Sequence, residues 1–354
     1  MQIIRICVNF VSLLRKNRKM KETLTTISER IGVSPATISR IVNGKADKYR
    51  ISKETVDKVM AEVNRCNYTP SILAQSLRTN KTSTIGLMLP SVSNPFFADM
   101  ADAIITDANT KGYTTIVVDN MENEAIQRAC LSTLISRKVD GIIAAPCGSD
   151  PSLFEEINRT TVPIVLVDRY FEDSNLSHVT SNNYKGAFDA TRFLIMNGHE
   201  RIACIQGDTD SLPNKRRVSG FMAALKEYGF ENKAVIAGDA FSIQNGYLET
   251  KLLLNMNPRP TAIFALSYTI LLGVIKAVQD SGIRIPEDIS VISFDENISL
   301  DYMTPPMIRV SQPVEEMGKL ASKLLFSSIE NKTRKTNNME LVTTLKGGQS
   351  VRHL

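Results

Sequence analysis

From Thr84 onward two rhythms alternate along the chain. Short apolar runs stand at IGLMLP (85–90), TTIVVD (114–119), DGIIAAP (140–146), PIVLVD (163–168), RIACIQG (201–207), AVIAG (234–238), TAIFALS (261–267) and DISVISFD (288–295). Between them lie longer stretches with apolar residues at helical spacing. Strands alternating with helices predict parallel sheets covered on both faces. The pattern also repeats weakly. Gly112-Tyr113, a strand, a helix and Asp140-Gly-Ile-Ile are echoed by Gly229-Phe230, a strand, a helix and Thr261-Ala-Ile-Phe, and in each half the next strand ends in an aspartate, Asp168 or Asp295. Two doubly wound α/β subdomains of like topology, with a cleft between them, are expected. Ligands of such sheets lie beyond the C-terminal strand ends.

Before Thr84 the rhythm is purely helical. Leu24, Ile27 and Ile31 share a helix face, and Gly32 ends that helix. Val33 fills the turn, Ser34 is placed as an N-cap, and Pro35 suits the first helical position. Ile38, Ile41 and Val42 then form a second face before Gly44. A third helix follows from Ser52 to Arg65. Two short helices joined by a tight turn form a helix-turn-helix, whose second helix offers its N-terminal side chains to the major groove. Ser34, Thr37, Ser39 and Asn43 are short donors suited to phosphates. Arg40 can bridge O6 and N7 of guanine. Spacing alone also fits any three-helix bundle; the polar run SPATISR and the local charge favour DNA.

Charge sharpens the division. The net charge of +5 is unevenly spread: residues 1–19 hold five Lys or Arg and no acid, and residues 20–82 hold eleven against six acids, which leaves −5 for the remainder. A basic front on a mildly acidic body suits a polyanion partner for the front alone. Residues 1–19 lack a signal-peptide layout, since Arg5 interrupts the apolar run and the basic cluster follows it. They are expected to be an extension outside the fold, with Met20 as a second start; a short membrane-surface helix is the alternative. Ser71 to Thr79 (SILAQSLRT) is a nine-residue helix candidate, marginal by itself because nucleation is costly. A linker of this kind suits a switch. The most apolar long stretch, Ile263 to Val278, contains Ser267, Tyr268, Thr269 and Lys276 and is too short and polar to span a bilayer. The five cysteines are scattered without a CxxC pair, which points to a reducing, cytoplasmic setting without zinc or disulfides.

The segments IGVSPATISRIVNG, CNYTPSILAQSLRTNKTSTIGLMLP and NPFFADM, with the helix between the first two, closely resemble the lactose-repressor (LacI/GalR) family of bacterial transcription regulators. The resemblance runs from about Leu24 to Val351. It implies that Pro35, Ala36 and Arg40 occupy base-reading positions. It also implies that two hinge helices pair in the minor groove, with Leu77 as the wedge beside Arg78, a contact that kinks DNA. The body is similar to periplasmic sugar-binding proteins. The expected division is an extension at 1–19, a headpiece at 20–69, a hinge helix at 70–82 and a body at 83–354. The body's N-subdomain is expected at about 83–182 and 312–345, and its C-subdomain at about 183–311. One departure is the connection GKADKYRI, longer and more basic than usual, where Lys45, Lys48 and Arg50 either add phosphate contacts or form a solvated loop.

Candidate cleft residues follow from the strand ends: Ser91, Asn94, Phe96 and Phe97 after the first, Asp168 and Arg169 after the fourth, Arg217 in the stretch after RIACIQG, Ser267 after TAIFAL, and Asp295. The family uses positions matching Phe96, Asp168, Arg217 and Asp295 for its effector. Ser267-Tyr268 replaces the family's usual Asn-Asp, and Arg169 together with Arg217 hints at an acidic sugar or phosphate. No GxGxxG, Walker A or GxSxG sequence is present, and the three histidines lack metal-ligand spacing. The expected protein is therefore not an enzyme and needs no cofactor or metal. It is a DNA-binding repressor and homodimer acting on a near-palindromic duplex, controlled by a small effector, a sugar or sugar acid. The competing reading is a sugar-binding or sugar-modifying protein with a vestigial DNA-binding domain.

Overall fold

The computed structural model describes residues 22–66, 68, 81–331 and 335–354. The extension at 1–19 and the hinge residues Leu77 and Arg78 lie outside them. The chain divides into two compact units, residues 1–82 and 83–354.

In the first unit α1 (Leu24–Ile31), α2 (Pro35–Val42) and α3 (Lys53–Arg65) enclose a small core of Ile27, Ile38, Ile41, Val59 and Val63. The cap residues set the boundaries. Thr23, Ser34 and Ser52 each accept the third helical N–H, and Gly32 closes α1 in the left-handed region at φ 69°. Each such cap stabilises its helix by about 1 kcal/mol, a large share for a core of this size. Arg30 on α1 donates to Glu22 and Glu62, and Arg65 also donates to Glu62, tying α1 to α3.

The second unit holds two six-stranded sheets. The first comprises β1 (Thr84–Leu89), β2 (Thr114–Asp119), β3 (Gly141–Ala144), β4 (Ile164–Val167), β5 (Ser177–Ser181) and, late in the chain, β11 (Asn338–Leu341), in the order β11-β5-β4-β3-β1-β2. The second comprises β6 (Ile202–Ile205), β7 (Val235–Ala237), β8 (Ala262–Ala265), β9 (Ser290–Phe294), β10 (Ile308–Ser311) and β12 (Thr344–Lys346), in the order β12-β10-β9-β8-β6-β7. The orders are equivalent strand for strand. All pairs are parallel except β10 with β12. That antiparallel edge strand, and β5, β10 and β11, are absent from the apolar runs of the sequence.

Successive residues of a central strand enter opposite layers. Ile85, Leu87 and Leu89 pack with α4 (Pro95–Thr110) and α11 (Val314–Asn331), whereas Met88 packs with α5 (Glu124–Ser136) and α6 (Ser152–Thr160). In the second sheet Cys204 and Phe264 face α7 (Asn183–Met196) and α8 (Leu212–Glu227). Ala203, Ile205 and Ile263 face α9 (Ile243–Leu254) and α10 (Tyr268–Asp280). The chain passes between the sheets three times, at 182, at 312–313 and at 342–343. The last passage leaves β12 and the tail on the second sheet, so residues 344–345 sit with the C-terminal half. Ser350 bonds Ile308 and Val291 there, and the Leu354 N–H reaches the carbonyl of Asn197.

Candidate functional site

In the headpiece unit Pro35 and Ala36 are exposed at the start of α2, and Ser34 caps it. The Ser34 hydroxyl accepts the Thr37 N–H at 3.2 Å and pairs with the Thr37 hydroxyl at 2.8 Å. Asn43 turns back to the Ser39 carbonyl at 2.6 Å. Of the predicted polar contacts, these four therefore also have local capping work. Arg40 differs: it is exposed, and its guanidinium lies 4.1 Å from the centroid of the Tyr49 ring. Tyr49 comes from the lengthened connection, as the last residue of a short 3-10 turn at Asp47–Tyr49. Lys45, Lys48 and Arg50 are exposed around it.

In the body a cleft of about 880 Å³ opens at the C-terminal strand ends of both sheets. Ser91, Asn94, Phe96, Phe97, Asp168, Arg169, Arg217, Ser267 and Asp295 all line it. Asn94 and Ser267 cap α4 and α10 with their side-chain oxygens, and the Ser91 hydroxyl pairs with that of Ser93. Phe96 and Phe97 meet edge to face at 5.1 Å and belong to the core under β1 while forming a wall of the cleft.

Asp168 and Asp295 follow equivalent strands, and both adopt the left-handed region, at φ 63° and 77°. Such backbone is strained for any residue with a Cβ, and its occurrence at both matched positions aims two carboxylates into one cleft. Their surroundings differ. Asp295 accepts the Tyr268 N–H at 3.1 Å and the Gln312 amide at 2.7 Å, and lies 3.7 Å from Arg217. Asp168 is 4% exposed, and its Oδ1 has no hydrogen-bond partner among the described residues. Burial pushes its carboxyl up to about 6, against the opposing pull of Arg217 and Arg169. The Ser211 hydroxyl, at the cap of α8, is a second buried, unpartnered atom on the lining.

Arg217 lies within α8, on the helical part of the stretch after β6. Its Nε donates to Asn183 at 2.7 Å and its Nη1 to the Leu266 carbonyl at 2.6 Å, and the guanidinium stacks 3.8 Å from the Phe294 centroid. Arg169 sends both Nη atoms to the Glu122 carboxylate, at 2.5 and 2.7 Å. Both arginines are thus engaged within the protein. The lining carries six further acids, Asp119, Glu122, Glu124, Asp208, Asp210 and Asp239, beside Asp168 and Asp295, and among the described residues these two arginines are its only Lys or Arg. Arg169 and Arg217, from which an anionic ligand was expected, thus stand in an acidic cleft, Arg169 paired to Glu122 and Arg217 3.7 Å from Asp295.

Two residues of the site sit where the chain crosses between sheets. Asn183 holds Arg217, and Gln312 bridges Asp295 to the hydroxyl of Ser181 at the end of β5. Thr180 holds the Asp168 carbonyl at 2.8 Å. Sequence reasoning missed Asn183, Gln312, Glu122, Ser211 and Phe241. Only the position of Asn183 and Gln312 at the two passages could have drawn attention to them.

A helix-turn-helix unit followed by a two-sheet body with a polar cleft at matched strand ends defines a class of regulator, and the comparisons identify it. Residues 23–71 match the family described as bacterial regulatory proteins, lacI family, and residues 82–346 match the periplasmic binding proteins and sugar binding domain of that family. The chain belongs to the LacI family of DNA-binding transcription regulators. It is 32% identical over 323 residues to the HTH-type transcriptional repressor PurR of Vibrio atlanticus (strain LGP32), covering 90% of this chain and 95% of that protein. It is 31% identical to the ribose operon repressor of Escherichia coli (strain K12), covering 91% and 98%. Among solved structures it is similar to a LacI family transcriptional regulator of Enterococcus faecium with bound ribose, at a TM-score of 0.70 and 26% identity over 77% of this chain and 99% of that one. These relatives are named as transcription regulators. No helix among the described residues is long and apolar enough to cross a membrane.

Proposed function

We propose that the chain is a homodimeric cytoplasmic repressor. It grips a near-palindromic operator with two headpieces and releases or tightens that grip when a small polyhydroxylated effector enters the cleft. The observation that carries the effector reading is the pair of buried, unpartnered atoms, Asp168 Oδ1 and Ser211 Oγ, on the cleft wall. A buried polar atom without a partner costs about 1–3 kcal/mol. A ligand hydroxyl donating to Asp168 recovers that loss on binding. A sugar supplies several hydroxyl donors, and the ribose in the Enterococcus faecium regulator and the name of the Escherichia coli relative favour a pentose. Asp168, Arg217 and Asp295 are its polar contacts, with Phe96 and Phe97 as a wall for the ring. Ser91, Asn94, Arg169 and Ser267 stand at the edges.

Coupling to DNA follows from the bonds at the passages between sheets. Gln312 and Asn183 join the cleft residues to the connecting segments, so the angle between the halves and the contents of the cleft are linked. A ligand shifts this equilibrium only by its preference for one angle, typically by about 1–3 kcal/mol. On DNA, Pro35, Ala36 and Arg40 read bases, Ser34, Thr37, Ser39 and Asn43 touch phosphates, and the hinge residues Leu77 and Arg78 act in the minor groove. A gel shift on the DNA upstream of the chain's own coding region, with and without ribose, tests the reading. Retardation that responds to ribose or to another sugar supports it. Failure to retard that DNA at low salt favours a sugar-binding protein with a vestigial headpiece.

A further inference from the structure

Arg169 is the cleft's most ligand-like anchor, a buried guanidinium fork of the type that grips carboxylates and phosphates bidentately. That fork is already filled. Glu122 places both carboxylate oxygens on it, at 2.5 and 2.7 Å. The backbone that delivers Glu122 is held by its own neighbours. Met121 and Glu122 are consecutive residues in the left-handed region, at φ 52° and 54°, held so by the side chains of Asp119 and Asn120, which accept their N–H groups at 2.8 and 3.1 Å. Two strained residues in a row deliver one carboxylate to one guanidinium. The Arg169 fork is also flanked by rings from both halves, Phe97 at 5.8 Å and Phe241 at 5.9 Å, which keeps it within the cleft.

We propose that Glu122 is an internal stand-in for a ligand carboxylate, which reserves Arg169 and restricts the effector to uncharged polyhydroxylated molecules. The proposal rests on the cleft being the effector site and names the selectivity of that site. An anionic sugar could use Arg169 only by displacing Glu122, leaving that carboxylate loose among the seven other acidic side chains that line the same space. An uncharged sugar meets no such opposition, because it donates to the acids and leaves the Arg169–Glu122 pair intact. Selectivity of this kind works by penalising the wrong partner. Removing Glu122 converts the rejection into attraction, because the fork is then open.

The test uses the full-length chain and three probes, D-ribose, D-ribonate and ribose 5-phosphate, measured by calorimetry and by thermal shift. Glu122→Ala is expected to bind ribose 5-phosphate or ribonate at least about tenfold more tightly than the parent protein, the scale of one charge-assisted hydrogen bond. Glu122→Gln leaves the buried guanidinium one acceptor and shows a smaller gain in the same direction, which keeps the test available should the alanine variant not fold. Adding Arg169→Met to either variant is expected to abolish the gain. Equal anion affinity in the parent and both Glu122 variants overturns the proposal, as does a parent protein that prefers either anion to ribose. Failure of the effector reading registers separately, as an operator affinity in the parent protein that ignores every sugar.

Discussion

Asp295 and Asp168 stand at equivalent places in two halves of the same topology, each in left-handed backbone, yet they do different work. Asp295 is bound up by the protein: a backbone N–H, the Gln312 amide and Arg217 all address it. Asp168 keeps a buried oxygen that none of the described residues satisfies. Both carboxylates line the cleft, but one enters it already tied into a protein network and the other keeps an oxygen for an outside donor. The same distinction separates two arginines. Arg217 is buried with its Nε and Nη1 committed, whereas Arg40 is exposed and touches a single ring. Duplicated architecture therefore places functional groups symmetrically without making them equivalent, and the partners decide which group answers to a ligand.

The largest effect should come from the closed network. Arg217→Met removes one partner of a buried pair and is expected to cost about 3–5 kcal/mol of body stability in urea unfolding. A loss below about 1 kcal/mol would show that Asp295 does not depend on its network. Replacing Gln312 by Leu strips one hydrogen bond from a buried charge and should cost about 1.5–3 kcal/mol. It should also weaken the response of operator affinity to effector, because Gln312 joins Asp295 to Ser181 at the passage between sheets.

Asp168→Asn reverses the pattern. Stability should hold or rise, while effector affinity by calorimetry falls at least about tenfold, the worth of a hydrogen bond to a charged group. Destabilisation like that of Arg217→Met would erase the contrast between the two carboxylates.

The pH dependence provides a finer measure. Burial raises the Asp168 carboxyl to about 6 from an ordinary value of 3.8, so the folded body holds a proton that the unfolded chain releases. The contribution to stability is fully present below about pH 4 and is lost as pH rises through about 6. Lowering the pH from 7 to 5 should therefore raise the midpoint of the parent body relative to Asp168→Asn in thermal unfolding. A flat difference would place Asp168 with the satisfied carboxylates. The smallest effect is expected at the open arginine: Tyr49→Ala should weaken operator binding by about two- to fivefold, matching an exposed cation–π contact of about 0.5–1 kcal/mol, and Tyr49→Phe should retain most of the parent affinity.

The central strands were legible because they are buried on both faces, which demands the continuous apolar runs at IGLMLP or TAIFAL. The helix-turn-helix was legible because its signals are local: a cap at Ser34, proline at 35 and a left-handed glycine at 32 act within one turn of chain. The strands SHVTS, IRVS, NMEL and TLK were not. They are short, and polar or charged residues interrupt them, so only pairing to a neighbour, through a backbone that crosses between sheets three times, makes them strands.

The same boundary runs through the site. Strand ends and the repeat between halves placed Asp168 and Asp295 in one cleft, because period and order along the chain suffice for that. What each residue touches was decided by tertiary structure alone. Glu122 meets Arg169 across 47 positions, and Gln312 meets Ser181 across 131. The charge that Arg169 would offer a ligand is cancelled by one such contact, since the energy of a buried ion depends on which opposite charge the fold brings within hydrogen-bond reach, and sequence spacing carries no record of it.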